Sequence, residues 1–215
     1  MDNPGFPRTL LIGGTGPTGR EVLASAAKRG WRLRALARRS EALAGVGGGH
    51  EVARGDVTDA ASLAAPLAGI EAVICLLGSA LTTKPVTLLS RGTANIVAAM
   101  RAAGATRLVC VTGMGAGDSR GHGGFLYDRI MLPVLLGRIY ADKDRQEALV
   151  RASGLDWTLV RPAMLTNGEA TGRYRRLTDL AGQRLTKISR KDVADFLLDE
   201  TQRPQYPREA VNLSQ

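Results

Sequence analysis

Leu10-Leu11-Ile12-Gly13-Gly14-Thr15-Gly16-Pro17-Thr18-Gly19-Arg20 is the stretch that decides the fold. The apolar residues from Thr9 read as a buried strand ending at Gly13. Thr18–Arg29 follows as a helix. A glycine-spaced turn in that position is the context in which such a loop cradles a pyrophosphate. Gly13 permits the tight turn. Gly16 leaves the backbone bare, so that a phosphate can approach it. Gly19 lets the helix pack closely on the strand. The helix N-terminus adds unpaired N–H groups and partial positive charge.

Working outward, short apolar runs alternate with longer helical patterns. Trp31–Ala37, Glu51–Ala53, Ala72–Leu77, Leu108–Val111 and Trp157–Val160 read as further strands, the last stopped by Pro162. Asp59–Leu67 reads as a helix with Asp59 as its cap, and Pro85–Ala103 as a helix packed on a sheet. Leu126–Ala152 is helical, with breaks at Pro133 and Gly137. Arg190–Thr201 is a last helix and Ala210–Leu213 a closing strand. This alternation predicts an α/β fold, a doubly wound Rossmann-type parallel sheet covered on both faces. Composition shifts only after Pro162, where Asn167–Gly182 is polar, basic and glycine-containing. It reads as an excursion over the carboxyl edge of the sheet. One domain, 1–215, is expected, with a core at 1–160 and a small C-terminal substrate lobe and closing helix at 161–215.

The chain has 215 residues, 44% hydrophobic and 23% charged, an ordinary globular balance. Its formal net charge is +9. The cations are spread without a block of like charge, which predicts a basic surface with one anion site and no nucleic-acid partner. No apolar run reaches the roughly 18–20 residues of a membrane span, so no membrane partner is expected. Met1–Arg8 lacks a basic region followed by an apolar one, and only Cys75 and Cys110 are present. Both features fit a reducing cytoplasm. The two cysteines read as small apolar fillers inside strands, and Trp31 and Trp157 as core or rim packing. His50 and His122 stand alone, so no metal site is expected.

Arg38 and Arg39 follow the end of the second strand, where an NAD site usually places an acid for the ribose hydroxyls. Two guanidiniums instead can bind a 2′-phosphate, which selects NADP(H) over NAD(H); they also read as plain surface arginines. Asp56 is placed to meet an adenine amino group, or is a turn residue. Val57 is placed to pack on the ring.

Together, Gly13–Arg20, Gly55-Asp56-Val57, Leu76-Leu77-Gly78, Asn95–Met100 and Ser153-Gly154-Leu155…Arg161-Pro162 resemble the atypical short-chain dehydrogenase/reductases. Within the NmrA-like group, the sequence is most similar to the biliverdin-IXβ reductase/flavin reductase type. The resemblance implies NADPH and hydride transfer to a flat conjugated acceptor. It puts Thr15, Pro17 and Thr18 on the pyrophosphate, with Leu77, Gly78 and Ser79 under the ribose and pyrophosphate. Thr112 falls near the nicotinamide, and Met164 and Leu165 beside its carboxamide. Lys143 falls where relatives carry a ribose-binding lysine; by itself it reads equally as an exposed lysine between Asp142 and Asp144.

Two departures stand out. The family's catalytic tyrosine belongs four residues before Lys143, and Ile139 is there. Tyr140 is one residue off, a turn of about 100° on a helix. It is either a repacked acid or a packing residue. The strand-end hydroxyl pair is Thr112-Gly113, so one hydroxyl is missing. Thr112 either donates a hydrogen bond to cofactor or acceptor, or is a satisfied strand-end residue.

Flavins, quinones and bile pigments need no strong protein acid, since the proton can come from solvent. The glycine-rich stretch Gly113–Gly137, tipped by Phe125, Leu126, Met131 and Leu132, is expected to close over such a ligand, with core packing the other reading for Met131 and Leu132. His122 either polarises substrate or is an exposed loop residue. Competing readings are a non-catalytic NADP(H) sensor with a protein partner and an NADPH-dependent ketone or enone reductase using Tyr140 or bound water. A monomer or weak homodimer is expected.

Overall fold

β1 (Thr9–Ile12) is fully buried and leads through the glycine turn into α1 (Pro17–Lys28). The computed structural model describes residues 5–43, 45, 48–82 and 84–215. β2 (Arg34–Ala37), β3 (Glu51–Arg54), β4 (Ala72–Cys75), β5 (Arg107–Val111) and β6 (Asp156–Pro162) follow in chain order, with α2 (Ala64–Leu67) before β4 and α3 (Leu88–Ala103) after it. A wide π-type helical segment, Tyr127–Leu136, runs into α4 (Gly137–Arg151) ahead of β6. Then come β7 (Met164–Thr166), β8 (Arg175–Leu177), β9 (Lys187–Ser189), α5 (Arg190–Gln202) and β10 (Glu209–Ser214).

The main sheet has eight strands in the order β3-β2-β1-β4-β5-β6-β10-β8. All neighbours are parallel except β10 and β8. The chain winds outward one way from β1 and the other way from β4. The carboxyl ends of these two strands are therefore the place where loops part and leave a crevice. Successive strand side chains alternate between faces. Leu11, Ile74, Val109, Val160 and Val211 pack under α1 and α5, with Val22, Leu23, Phe196 and Leu197. Leu10, Ile12, Val73, Leu108 and Leu159 pack on the other face with Ile96, Met100 and Val150 of α3 and α4. Cys75 and Cys110 sit in that second layer, and Trp31 and Trp157 belong to the two cores.

The doubly wound α/β expectation holds, and the differences have local causes. β2 begins at Arg34 rather than Trp31, because the Leu33 amide donates to the His50 ring (3.1 Å) instead of joining the strand ladder. β4 stops at Cys75, after which the chain opens into the crevice. Asp59 caps as expected, accepting from the Ala61 amide, but the first turn is a 3₁₀ turn, Ala60–Leu63. α3 starts at Leu88 and is capped from a distance: the buried Asp142 carboxylate of α4 accepts from the Leu89 amide (2.8 Å) and from Ser90. The Asn167–Gly182 excursion does not simply overlie the sheet. Its Arg175–Leu177 becomes the antiparallel edge strand beside β10. β7 and β9 form a separate two-stranded parallel pair. No helix among the described residues is long and apolar enough to cross a membrane.

His50 ties α1 to β2. Its Nδ1 accepts from Leu33, so Nε2 carries the proton and donates to the Leu23 carbonyl (2.9 Å). Burial lowers its pKa against the pull of that carbonyl. The neutral ring is therefore the one that fits. Its stabilising effect is complete above the unfolded value of about 6.5 and is lost as pH falls below it. Urea melts from pH 7 to 5.5 should show a steeper loss of stability in the wild type than in His50→Gln.

Candidate functional site

A cavity of about 800 Å³ opens in the crevice at the carboxyl ends of β1, β2, β4 and β5. Its floor is the glycine turn. Gly13 holds φ +87°, and a Cβ there would overlap the Leu76 carbonyl. A Cβ on Gly19 would overlap the Gly13 carbonyl, so α1 touches the turn backbone to backbone. Gly16 caps α1 without a side chain, its amide donating to Gly13 (3.1 Å), and the first turn carries no acid. Pro17 has no N–H. Among the described residues, the Thr18 and Gly19 amides donate to no protein acceptor. The cradle is therefore bare backbone with unspent donors and a helix dipole, which suits a diphosphate.

At one end the cavity is lined by Arg38, Arg39, Asp56 and Val57. Both arginines are exposed, and neither guanidinium makes a hydrogen bond or ion pair among the described residues. Asp56 is both a turn residue and a wall residue: one carboxylate oxygen accepts from the Thr58 amide (2.9 Å) and hydroxyl (2.8 Å). These bonds, with the nearby Arg38 charge, hold its pKa below the usual range against partial burial. Asn95 fixes this loop by donating to the Val57 carbonyl (2.8 Å).

At the other end the walls are Leu76, Leu77, Gly78, Ser79, Ala80, Val111, Thr112, Lys143 and Leu165. Met164 is 60% exposed and is not a wall residue. Lys143 is not the exposed helix lysine of the alternative reading. Its ammonium donates to the Thr112 carbonyl. Burial lowers its pKa, and the acidic neighbours Glu147 and Asp142 act in the opposite direction.

At three residues that the sequence leaves with two readings, the structure shows the side chain engaged elsewhere. Thr112 is not a free donor: its hydroxyl donates to Glu147 (2.7 Å). Tyr140 does not line the cavity; it is buried, and its hydroxyl pairs with that of Tyr127 (2.9 Å). Burial also raises its pKa, which makes it a poorer acid. The ring of His122 bonds the Gln183 carbonyl (3.0 Å) and so joins the glycine loop to the C-terminal excursion.

The expected lid is also different. No residue of 113–137 lines the cavity. The loop is pinned: Ser119 bonds the Gly115 amide, Asp144 the Gly117 amide, and Tyr127 the Met114 carbonyl. Leu132 is buried against Ala116 and Tyr140, whereas Met131 is exposed.

Beneath Thr112 lies a network that the sequence did not announce. Glu147 receives two bonds from Arg161 (2.9 and 2.6 Å), both side chains being almost fully buried. Arg161 also reaches Asp118. The i, i+4 pairing of Lys143 with Glu147 on one face of α4 was the only available signal.

The chain matches the NAD(P)H-binding family over residues 13–204. It belongs to that family. It is 33% identical over 153 residues to the (4-alkanoyl-5-oxo-2,5-dihydrofuran-3-yl)methyl phosphate reductase of Streptomyces griseus, covering 71% of this chain but only 46% of that protein. It is 26% identical over 214 residues to the uncharacterised sugar epimerase YhfK of Bacillus subtilis, covering 97% and 94% of the two. Its structure resembles that of ChuY, an anaerobilin reductase of Escherichia coli O157:H7, with a TM-score of 0.80, 26% identity and 96% coverage of both chains. The likeness to atypical short-chain dehydrogenase/reductases therefore stands: this is an NAD(P)-binding oxidoreductase fold with a nicotinamide cofactor site.

The buried Glu147–Arg161 pair yields a stability prediction. Glu147→Leu leaves the desolvated Arg161 guanidinium with only the exposed Asp118 as its ion-pair partner and should cost about 3–5 kcal/mol in urea melts. Adding Arg161→Met should recover much of that loss, because no buried unpaired charge then remains and Asp118, released from Arg161, stands in solvent.

Proposed function

We propose that the chain is an NADPH-dependent reductase that delivers hydride to a planar conjugated acceptor, flavin-, quinone- or bile-pigment-like, with the proton drawn from solvent. The observation that carries this reading is the distribution of titratable groups along the cavity wall. The strand order puts Arg38, Arg39 and Asp56 at the β2–β3 end and Lys143, bonded to Thr112 after β5, at the other, where it is the one titratable wall residue among the described residues. The reaction end thus offers a cation and no carboxyl or phenol. An acceptor that delocalises its new charge suits such a site better than an ordinary ketone, which needs an acid aimed at its oxygen, because the one ammonium there is already turned to the Thr112 carbonyl. The reductase names of the Streptomyces protein and ChuY support the same class.

In this reading Gly13, Thr15, Gly16, Pro17, Thr18 and Gly19 hold the diphosphate. Arg38 and Arg39 take the 2′-phosphate, and Asp56 and Val57 the adenine. Leu77, Gly78 and Ser79 line the ribose side, with Leu165, and Met164 from outside the wall, beside the carboxamide. The reduced nicotinamide, when bound, supplies the hydride. Lys143 holds the adjoining ribose and stabilises negative charge developing on the acceptor. Thr112 acts through its carbonyl, which aims Lys143, while Glu147 keeps the Thr112 hydroxyl turned inward. The apolar walls orient a flat ligand and exclude water.

The withdrawn Tyr140 favours one second reading, a non-catalytic NADP(H) sensor. NADPH absorbance followed with FMN, a quinone and biliverdin separates the two: sustained oxidation supports the reductase, and tight binding without turnover across the panel supports the sensor. Replacing both arginines (Arg38→Ala, Arg39→Ala) should lower kcat/KM for NADPH roughly 10- to 100-fold and leave NADH use nearly unchanged. Tyr140→Phe should keep the rate within about threefold; a loss of roughly 100-fold would restore it as the acid.

A further inference from the structure

The segment that fails to cover the cavity carries most of the large exposed apolar side chains among the described residues. Phe125, Leu126, Ile130, Met131, Val134 and Leu135 are all exposed, Phe125 by 78% and Val134 by 73%. On its inner side the segment is anchored by Tyr127, bonded to the Met114 carbonyl, and by Leu132, packed on Ala116 and Tyr140. The apolar face is therefore held outward by its own packing. Contiguous exposed apolar surface of this kind marks an interaction site.

Charge around the patch selects the occupant. Arg129 and Arg138 are exposed on the same segment. The Arg184 guanidinium lies beside Gly124, where a Cβ would come within 2.7 Å of it. None of these three cations has an ion-pair partner among the described residues. Of the nearby carboxylates, Asp118 is paired with Arg161 and Asp144 with Arg120, while Asp128 accepts only from the Gly121 amide and keeps its charge, which leaves the three arginines in excess over one acid. A second copy fits poorly. A two-fold contact sets the same patch on itself, arginines against arginines, on chains of net charge +9. No helix among the described residues is long and apolar enough to span a bilayer. An amphipathic surface segment requires neither: it needs an outward apolar face flanked by arginines and a negatively charged bilayer to meet them.

We propose that the exposed apolar face of Phe125–Leu135, with Arg129, Arg138 and Arg184, docks on an anionic lipid surface. The sequence expectation of no membrane partner rested on the lack of a spanning run, and interfacial binding does not require one. This inference does not depend on the reductase reading, because its test involves no turnover.

The test is co-sedimentation of the full chain with vesicles of phosphatidylcholine alone and of phosphatidylcholine mixed with phosphatidylglycerol. The chain should pellet with the anionic vesicles, bind neutral ones roughly tenfold less, and come off as salt is raised. Phe125→Ser with Val134→Ser should lower anionic-vesicle binding roughly tenfold without changing the thermal melt, since both side chains stand in solvent. Arg129→Gln with Arg138→Gln should also weaken it. Three results would overturn the proposal. One is no pelleting with either vesicle. Another is undiminished binding by the apolar double variant, which would mean adhesion through net charge alone. The third is a patch-dependent dimer in light scattering without vesicle binding, which would assign the face to a second copy.

Discussion

Gly13 is closely approached from two sides. On one side Gly13 abuts the Leu76 carbonyl at the end of β4, and on the other its own carbonyl abuts Gly19 in α1. Neither contact leaves room for a methyl group. This double close approach fixes the spacing of β1, β4 and α1, and with it the mouth of the crevice. It also aims α1 with its first-turn amides bare. The phosphate cradle is thus a by-product of packing: the residues that allow the fold to close are those that leave donors unspent.

The opposite end of the cavity is set by α4. Four successive inward positions do separate work. Asp142 caps α3, Lys143 reaches the Thr112 carbonyl, Gln146 donates to Thr93 (3.0 Å), and Glu147 binds Thr112 and Arg161. A helix that is polar on its buried face is costly unless each group is paired. Here the partners come from α3, from Thr112 just past β5 and from β6, with the Gln146 Oε1 alone among these side-chain groups lacking one, so the network locks those elements into one register. The result is a lysine held at the cavity wall by its surroundings.

The order of strands and the cradle were legible because they rest on local rules: apolar runs of strand length and glycines at positions that tolerate no side chain. Arg38 and Arg39 were legible for the same reason, as strand-end residues whose position follows from the first crossover. What escaped depended on partners distant in sequence. Nothing local to Thr112 says that Glu147, 35 residues away, will take its hydroxyl. Nothing local to Tyr140 reveals Tyr127. The glycines of 113–124 suggest mobility, yet the loop is held by Ser119, Asp144 and Tyr127. The short strands Met164–Thr166, Arg175–Leu177 and Lys187–Ser189 were hidden in a polar stretch, since edge pairs of three residues bury too little to leave an apolar pattern.

The central claim is that the bare backbone at the first crossover is a diphosphate seat. Gly16 gives the cleanest probe. Its backbone is in the extended region, φ −76°, and a Cβ there would meet only the Gly13 carbonyl, at 3.4 Å. A Gly16→Val side chain should therefore fold and project into the cavity. Calorimetric titration with NADP+ should show one site in the wild type and a loss of at least roughly 100-fold in affinity in the variant, at an unchanged melting temperature. Equal heats from the two proteins, or none from the wild type, would contradict the account.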